Sequence, residues 1–119
     1  MASILIVDDD EVIRTTLLDL FSERYLCHTA GTAEGALKLF EAQNYDVIIT
    51  DISMPGMSGE DLLGFAKKYQ PRTRVIFISG LDDRQNAERL LVKGAVGYLS
   101  KPFRLEEIEE KVTRAIESH

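Results

Sequence analysis

The sequence predicts an α/β fold, a doubly wound parallel sheet of five strands with five helices covering its two faces. Three observations predict it. Five short apolar runs rich in β-branched residues alternate with five segments of helical periodicity, the pattern of repeated βαβ units. The runs "ILIV", "VII" and "VIFI" are continuous rather than alternating, as strands buried on both faces read. Polar groups follow the runs directly, where a parallel sheet places its ligand site, outside the carboxyl ends of the strands.

Taken in order, the first strand is predicted over Ile4 to Val7, followed by a helix whose inner stripe is Ile13, Leu17, Leu20 and Phe21. The second strand is predicted over Tyr25 to Thr29. The next helix starts at Thr32, a good N-cap, and turns Ala33, Ala36, Leu37 and Phe40 inward. The third strand runs Val47 to Thr50. Ser58-x-x-Asp61 has the form of a capping box before Leu62, Leu63, Phe65 and Ala66, and Pro71 stops that helix. The fourth strand runs Val75 to Ser79, and a helix from Asp83 to Lys93 ends at Gly94. The fifth strand runs Val96 to Leu99. The last helix carries Leu105, Ile108, Val112, Ala115 and Ile116 at spacings of one inner face.

At 119 residues the chain is expected to be one domain. With 14 Lys and Arg against 20 Asp and Glu it carries a net charge of -6, which argues against nucleic-acid binding, since that needs a basic surface. Cys27 is the only cysteine, so no internal disulfide is possible and a reducing compartment is expected. No apolar run is long enough to cross a bilayer. The N-terminus lacks the basic and apolar regions of a signal peptide. A cytoplasmic protein without a membrane partner is expected. His28 and His119 are too few and too far apart for a histidine-based metal site.

The strand ends bring Asp8, Asp9 and Asp10, then Thr50 and Asp51, then Ser79 and Gly80, then Ser100, Lys101 and Pro102 into one neighbourhood. The second strand ends in Thr29, Ala30 and Gly31, with nothing ionisable. Asp8, Asp9 and Asp51 offer only oxygen ligands, which suits Mg²⁺ or Mn²⁺ rather than zinc. Lys101 adds a second positive charge and Ser79 a hydroxyl. A metal, an ammonium and a hydroxyl suit a phosphoryl group, which a carboxylate could accept as an acyl phosphate. Asp10 or Glu11 reads as a helix cap rather than a ligand.

These residues resemble those of a bacterial two-component response-regulator receiver domain of the chemotaxis-regulator type. "IVDD" matches that family's acidic pair at Asp8 and Asp9. "IITDISMPGMSG" matches its phosphoacceptor segment with Asp51 as acceptor. "VIFISG" places Ser79 at the switch hydroxyl, and "GYLSKPF" places Lys101, Pro102 and the switch aromatic Tyr98. The resemblance spans the chain, read as one receiver domain over residues 1–119. It implies a flavodoxin-like sheet of strand order 2-1-3-4-5 and a cis Lys101-Pro102 bond. It implies Mg²⁺ held by Asp9, Asp51 and the backbone carbonyl of Ser53, with Asp8 helping through water. It implies a histidine kinase or histidine phosphotransfer protein as donor, and a downstream target protein or a fused effector domain as recipient of the signal. It implies a phosphoacceptor switch rather than an enzyme, with Mg²⁺-dependent self-phosphorylation and autodephosphorylation. Ser53 and Leu81, which flank the water path to the phosphorus in this family, are expected to set an intermediate phosphate lifetime.

Two further expectations concern surfaces. Tyr98 is expected to turn inward when Ser79 moves toward a phosphoryl group, remodelling the face of the fourth helix, fifth strand and fifth helix. Leu18, off the inner stripe of the first helix, is expected to stand exposed as a contact for the kinase. Three alternatives remain. Asp8-x-Asp10 also fits the haloacid-dehalogenase-like phosphatase signature, in which Asp8 would be the nucleophile. A pseudo-receiver would keep the fold without the complete set Asp8, Asp9, Asp51, Ser79 and Lys101. A flavodoxin-like cofactor binder would want a Ser, Thr and Gly loop where three aspartates stand. The sequence fits both a stand-alone regulator and part of a longer one.

Overall fold

The computed structural model describes residues 1–80 and 84–117. Leu81, Asp83 and His119 lie outside the described residues. Five parallel strands, β1 (Ser3–Val7), β2 (Leu26–Ala30), β3 (Val47–Asp51), β4 (Arg74–Ser79) and β5 (Gly97–Ser100), form one sheet in the order β2-β1-β3-β4-β5. The helices between and after them are α1 (Glu11–Phe21), α2 (Ala33–Ala42), α3 (Gly59–Tyr69), α4 (Arg84–Val92) and α5 (Leu105–Glu117). No helix among the described residues is long and apolar enough to cross a membrane.

The continuous apolar runs explain the two layers. Side chains alternate across a strand, so Leu5, Val7, Ile48, Val75 and Phe77 enter one core with Ala36, Phe40, Leu62, Leu63 and Leu90 of α2, α3 and α4. Ile4, Ile6, Val47, Ile49, Ile76 and Ile78 enter the other, with Leu17 and Phe21 of α1 and Ile108 and Val112 of α5. A run that feeds two cores has no polar face to show, which is why it does not alternate.

The helix boundaries follow the cap chemistry. Asp10 caps α1, its Oδ1 accepting from the Val12 N–H at 2.9 Å. Thr32 caps α2 through the Gly35 N–H at 3.0 Å. The Ser58–Asp61 capping box is formed in both directions. Gly94, with φ 118°, closes α4. Its N–H donates to Leu91 and the Ala95 N–H to Leu90, the paired bonds of a Schellman ending.

Several expectations are corrected. β2 begins one residue late because the Tyr25 N–H donates to the Phe21 carbonyl at 3.0 Å, so it closes the end of α1 instead. β5 likewise runs Gly97–Ser100, and Val96 stays 44% exposed. Leu105, assigned to the inner face of the last helix, is 41% exposed because it sits in the first turn, ahead of the buried Ile108. Leu18 is not a free contact: it is half-buried against the core that α1 and α5 share. Val12, at the start of the same helix, stands clear at 70% exposure.

Gly59 fixes how α3 meets β3. A Cβ built there would stand 2.1 Å from the Asp51 carbonyl oxygen and 3.1 Å from the Phe77 ring. Gly64, in the same helix, faces nothing within 4 Å. Gly59→Ala is therefore expected to destabilise the fold by about 1–3 kcal/mol or more, the range for overpacking. Gly64→Ala is expected to stabilise it by about 0.4–1 kcal/mol through the lost freedom of the unfolded chain. Urea melts of the two variants check both signs.

Candidate functional site

The strand ends converge as the sequence implies, and an ion-paired knot ties them. Asp8, directly after β1, is fully buried. Its N–H continues the sheet ladder by donating to the Ala30 carbonyl at 3.2 Å. Its Oδ1 accepts from the Asp10 N–H at 2.9 Å and its Oδ2 from the Lys101 ammonium at 2.8 Å. Asp51, the last residue of β3, is 7% exposed. Its Oδ2 accepts from Lys101 Nζ at 3.1 Å and its Oδ1 from the Ser53 N–H at 3.2 Å. Lys101 thus reaches from beyond β5, over the end of β4, to both carboxylates. The Lys101 N–H donates to the Ser79 carbonyl at 2.6 Å, and the Lys101-Pro102 peptide is cis, as expected.

Asp9 is exposed, and its carboxylate comes within 4.8 Å of those of Asp8 and Asp51. All the donor atoms are hard oxygens, so the set fits Mg²⁺ or Mn²⁺ and offers nothing to a soft metal. Asp10 faces away as the cap of α1. Ser79 is buried at the end of β4, and Ser53 is exposed in the loop after β3. Tyr98 is half-buried and packs against the core beneath α2, α3 and α4.

The charges perturb one another. Burial raises the pKa of Asp8 above the carboxylate value of 3.8, against the lowering pull of Lys101 and of the Asp10 N–H. Burial alone would lower Lys101, but its hydrogen bonds to Asp8 and Asp51 outweigh this and hold it above 10.5. The site is therefore short of positive charge: one ammonium serves two inward carboxylates with a third beside them, a deficit a divalent cation would meet.

Two side chains that shape this edge escaped the sequence reading. Arg14 of α1 donates to the Asp8 carbonyl at 2.7 Å. Glu34 of α2 accepts from the Met57 N–H at 3.0 Å and lies where a side chain on Gly56, φ 80°, would stand. It clasps the loop that leaves Asp51. A signal for Arg14 was present, since it is the only basic residue of α1 and sits one turn past the aspartates.

Beside Lys101, an apolar groove of about 370 Å³ opens between α1 and the start of α5, lined by Ile13, Thr16, Leu17, Pro102, Phe103 and Leu105, among others.

A model of the response regulator receiver domain matches residues 4–113. The chain is 36% identical over 119 residues to the DNA-binding transcriptional regulator NtrC of Azospirillum brasilense, covering 99% of this chain but 25% of that protein. It therefore spans about a quarter of the length of that relative. Among solved structures, it superposes with TM-score 0.90 and 33% identity on a response regulator receiver domain protein from Clostridium thermocellum, covering 98% of this chain and 94% of that one. Response regulator protein TrrA of Thermotoga maritima, solved in complex with Mg²⁺-BeF, matches with TM-score 0.85 and 36% identity over 97% of this chain and 99% of that one.

Lys101 supplies a pH signature for the metal-free protein. A base raised in the folded state contributes stability that is fully present below its unfolded value, near 10.5, and is lost as pH rises through the folded value. The stability gap between wild type and Lys101→Met is expected to shrink over that window and to stay constant between neutral pH and pH ~9. Denaturant melts of both proteins across this range measure it.

Proposed function

Because the chain belongs to the response regulator receiver domain family, we propose that it takes a phosphoryl group from a histidine kinase or a histidine phosphotransfer protein onto Asp51 and so switches a protein-interaction surface. The observation that carries this reading is the meeting of Asp8, Asp9 and Asp51 within 4.8 Å, with one ammonium on the first and last of them.

Asp9 and Asp51 would hold Mg²⁺ with their carboxylates and Ser53 with its backbone carbonyl, with Asp8 assisting; the same oxygen donors would suit Mn²⁺. When bound, the ion neutralises charge on the transferring phosphoryl oxygens. An Asp51 carboxylate oxygen attacks phosphorus in line with the bond to the donor imidazole. The P–N bond breaks, its electron pair stays on the imidazole nitrogen, and an acyl phosphate forms on Asp51. The Lys101 ammonium swings from the Asp51 carboxylate to a phosphoryl oxygen, and the Ser79 hydroxyl donates to another. The same groups accept a small acyl-phosphate donor, and water reverses the modification. Asp51 is the acceptor rather than Asp8 because Asp8 is fully buried while Asp51 keeps some exposure.

The donor docks on the groove between α1 and the start of α5, with Val12 as an exposed contact beside it. The signal passes to a downstream target protein or a fused effector domain. The acidic balance argues that this domain does not itself bind nucleic acid. The lone Cys27 supports a cytoplasmic setting.

The acceptor is tested by incubating the protein with Mg²⁺ and acetyl phosphate and locating the mass shift. Label is expected on Asp51 and none in Asp51→Asn; label on Asp8 would favour the phosphatase chemistry instead. The same preparation tests the switch. Phosphorylation adds about -1.5 to -2 charge with strong acceptors, drawing Ser79 toward it and opening space for the Tyr98 ring. The fluorine resonance of fluorotyrosine at position 98 is expected to shift on phosphorylation of wild type and to stay put in Ser79→Ala. An unmoved wild-type resonance refutes the coupling.

A further inference from the structure

β2 ends on Thr29-Ala30-Gly31, the one strand end without a reactive group of its own. The guanidinium of Arg14 fills that gap. It crosses from α1 and donates to the Asp8 carbonyl at 2.7 Å. Its Nη1 and Cζ lie 3.2 and 3.6 Å from where a Cβ on Gly31 would stand. The flat group therefore rests on the turn after β2, close enough that a Cβ on Gly31 would crowd it. The carbonyl it holds belongs to the peptide that joins Asp8 to Asp9.

The two aspartates differ in what holds them. Asp8 is fixed at every polar atom, by Ala30, Arg14, Asp10 and Lys101. Asp9 has an exposed carboxylate without a hydrogen-bond or ion-pair partner among the described residues. Its direction is set by its backbone, and one end of that backbone is the peptide Arg14 grips.

We propose that Arg14 is a positioning residue for the cation site: seated on Gly31, it fixes the Asp8–Asp9 peptide and aims the Asp9 carboxylate at the metal. This rests on the reading of Asp8, Asp9 and Asp51 as the metal ligands. A guanidinium beside this many carboxylates is also a charge. Charge alone opposes a divalent cation, so the two roles carry opposite signs, and variants that keep the charge separate them.

Arg14→Lys keeps the charge but loses the planar fork that donates while lying flat on the turn. Gly31→Ala leaves Arg14 intact and forces its guanidinium to give way by a few tenths of an ångström, because the new methyl would stand 3.2 Å from Nη1. Mg²⁺ is titrated calorimetrically into wild type, each variant and the double variant. Both single variants are expected to bind about tenfold more weakly, the low end for residues that orient a metal ligand. The double variant is expected to bind no more weakly than Arg14→Lys, since both changes break one contact. Raising Mg²⁺ by the same factor is expected to restore labelling of Asp51 by acetyl phosphate. In the metal-free proteins the Asp9 amide nitrogen resonance, which senses the hydrogen bond on the preceding carbonyl, is expected to shift in both variants. Wild-type or tighter Mg²⁺ affinity in both single variants, with wild type binding normally, overturns the positioning role. A wild type that binds no Mg²⁺ overturns the cation site itself, and this inference with it.

Discussion

The Lys101 ammonium, shared between Asp8 and Asp51, is the contact on which the carboxyl edge of the sheet depends. A carboxylate without solvent access costs several kcal/mol unless it is paired and hydrogen-bonded. The Asp8 carboxylate meets that cost with the lysine on one oxygen and the Asp10 N–H on the other. The lysine can reach it only because parallel register places the ends of β1, β3 and β5 on one edge. Sheet order, strand length and the turn at Pro102 are all conditions of that one contact. The two shifts at the site have different causes: burial raises Asp8, while the hydrogen bonds to two carboxylates raise Lys101 against the lowering pull of burial.

Around this knot the loops are held by short polar contacts as well as by apolar burial, as of Met54 in the loop after β3. Asp10 starts α1 three residues after β1 ends. Glu34 holds the loop after Asp51, and Gly59 lets α3 press onto the Asp51 carbonyl. With the loops so held, the carboxylates of Asp8, Asp9 and Asp51 lie within 4.8 Å of one another. Such preorganisation would lower the cost of assembling a cation site there.

The fourth helix is built differently. Leu90 is its one fully buried large side chain, while Leu91 and Val92 are 45% and 89% exposed. Arg89 and Lys93 pair with Glu60 of α3, on a surface where such pairs are worth at most about 1 kcal/mol. This weakly held element follows β4, whose last residue is Ser79.

Much of this was legible in the residues alone. The β-branched runs, the caps at Asp10, Thr32 and Ser58, the stop at Pro71 and the Gly94 ending are local chemistry, so each could be read from its neighbours. The placing of Asp8, Asp9, Asp51, Ser79 and Lys101 at one edge followed from strand order, because a parallel sheet sends all its carboxyl ends the same way. Leu18 and Leu105 were misjudged because helical spacing gives an angle but not how far a neighbouring element covers it. Arg14 on Gly31 and Glu34 on Gly56 belong to the tertiary structure alone. They join residues of different elements through side chains long enough to cross a loop, and no period in the sequence encodes that reach. The sequence by itself determined which groups gather at the edge. The tertiary structure decided which of them are already held and which is left free to bind, because hydrogen-bond satisfaction is a property of three-dimensional neighbours.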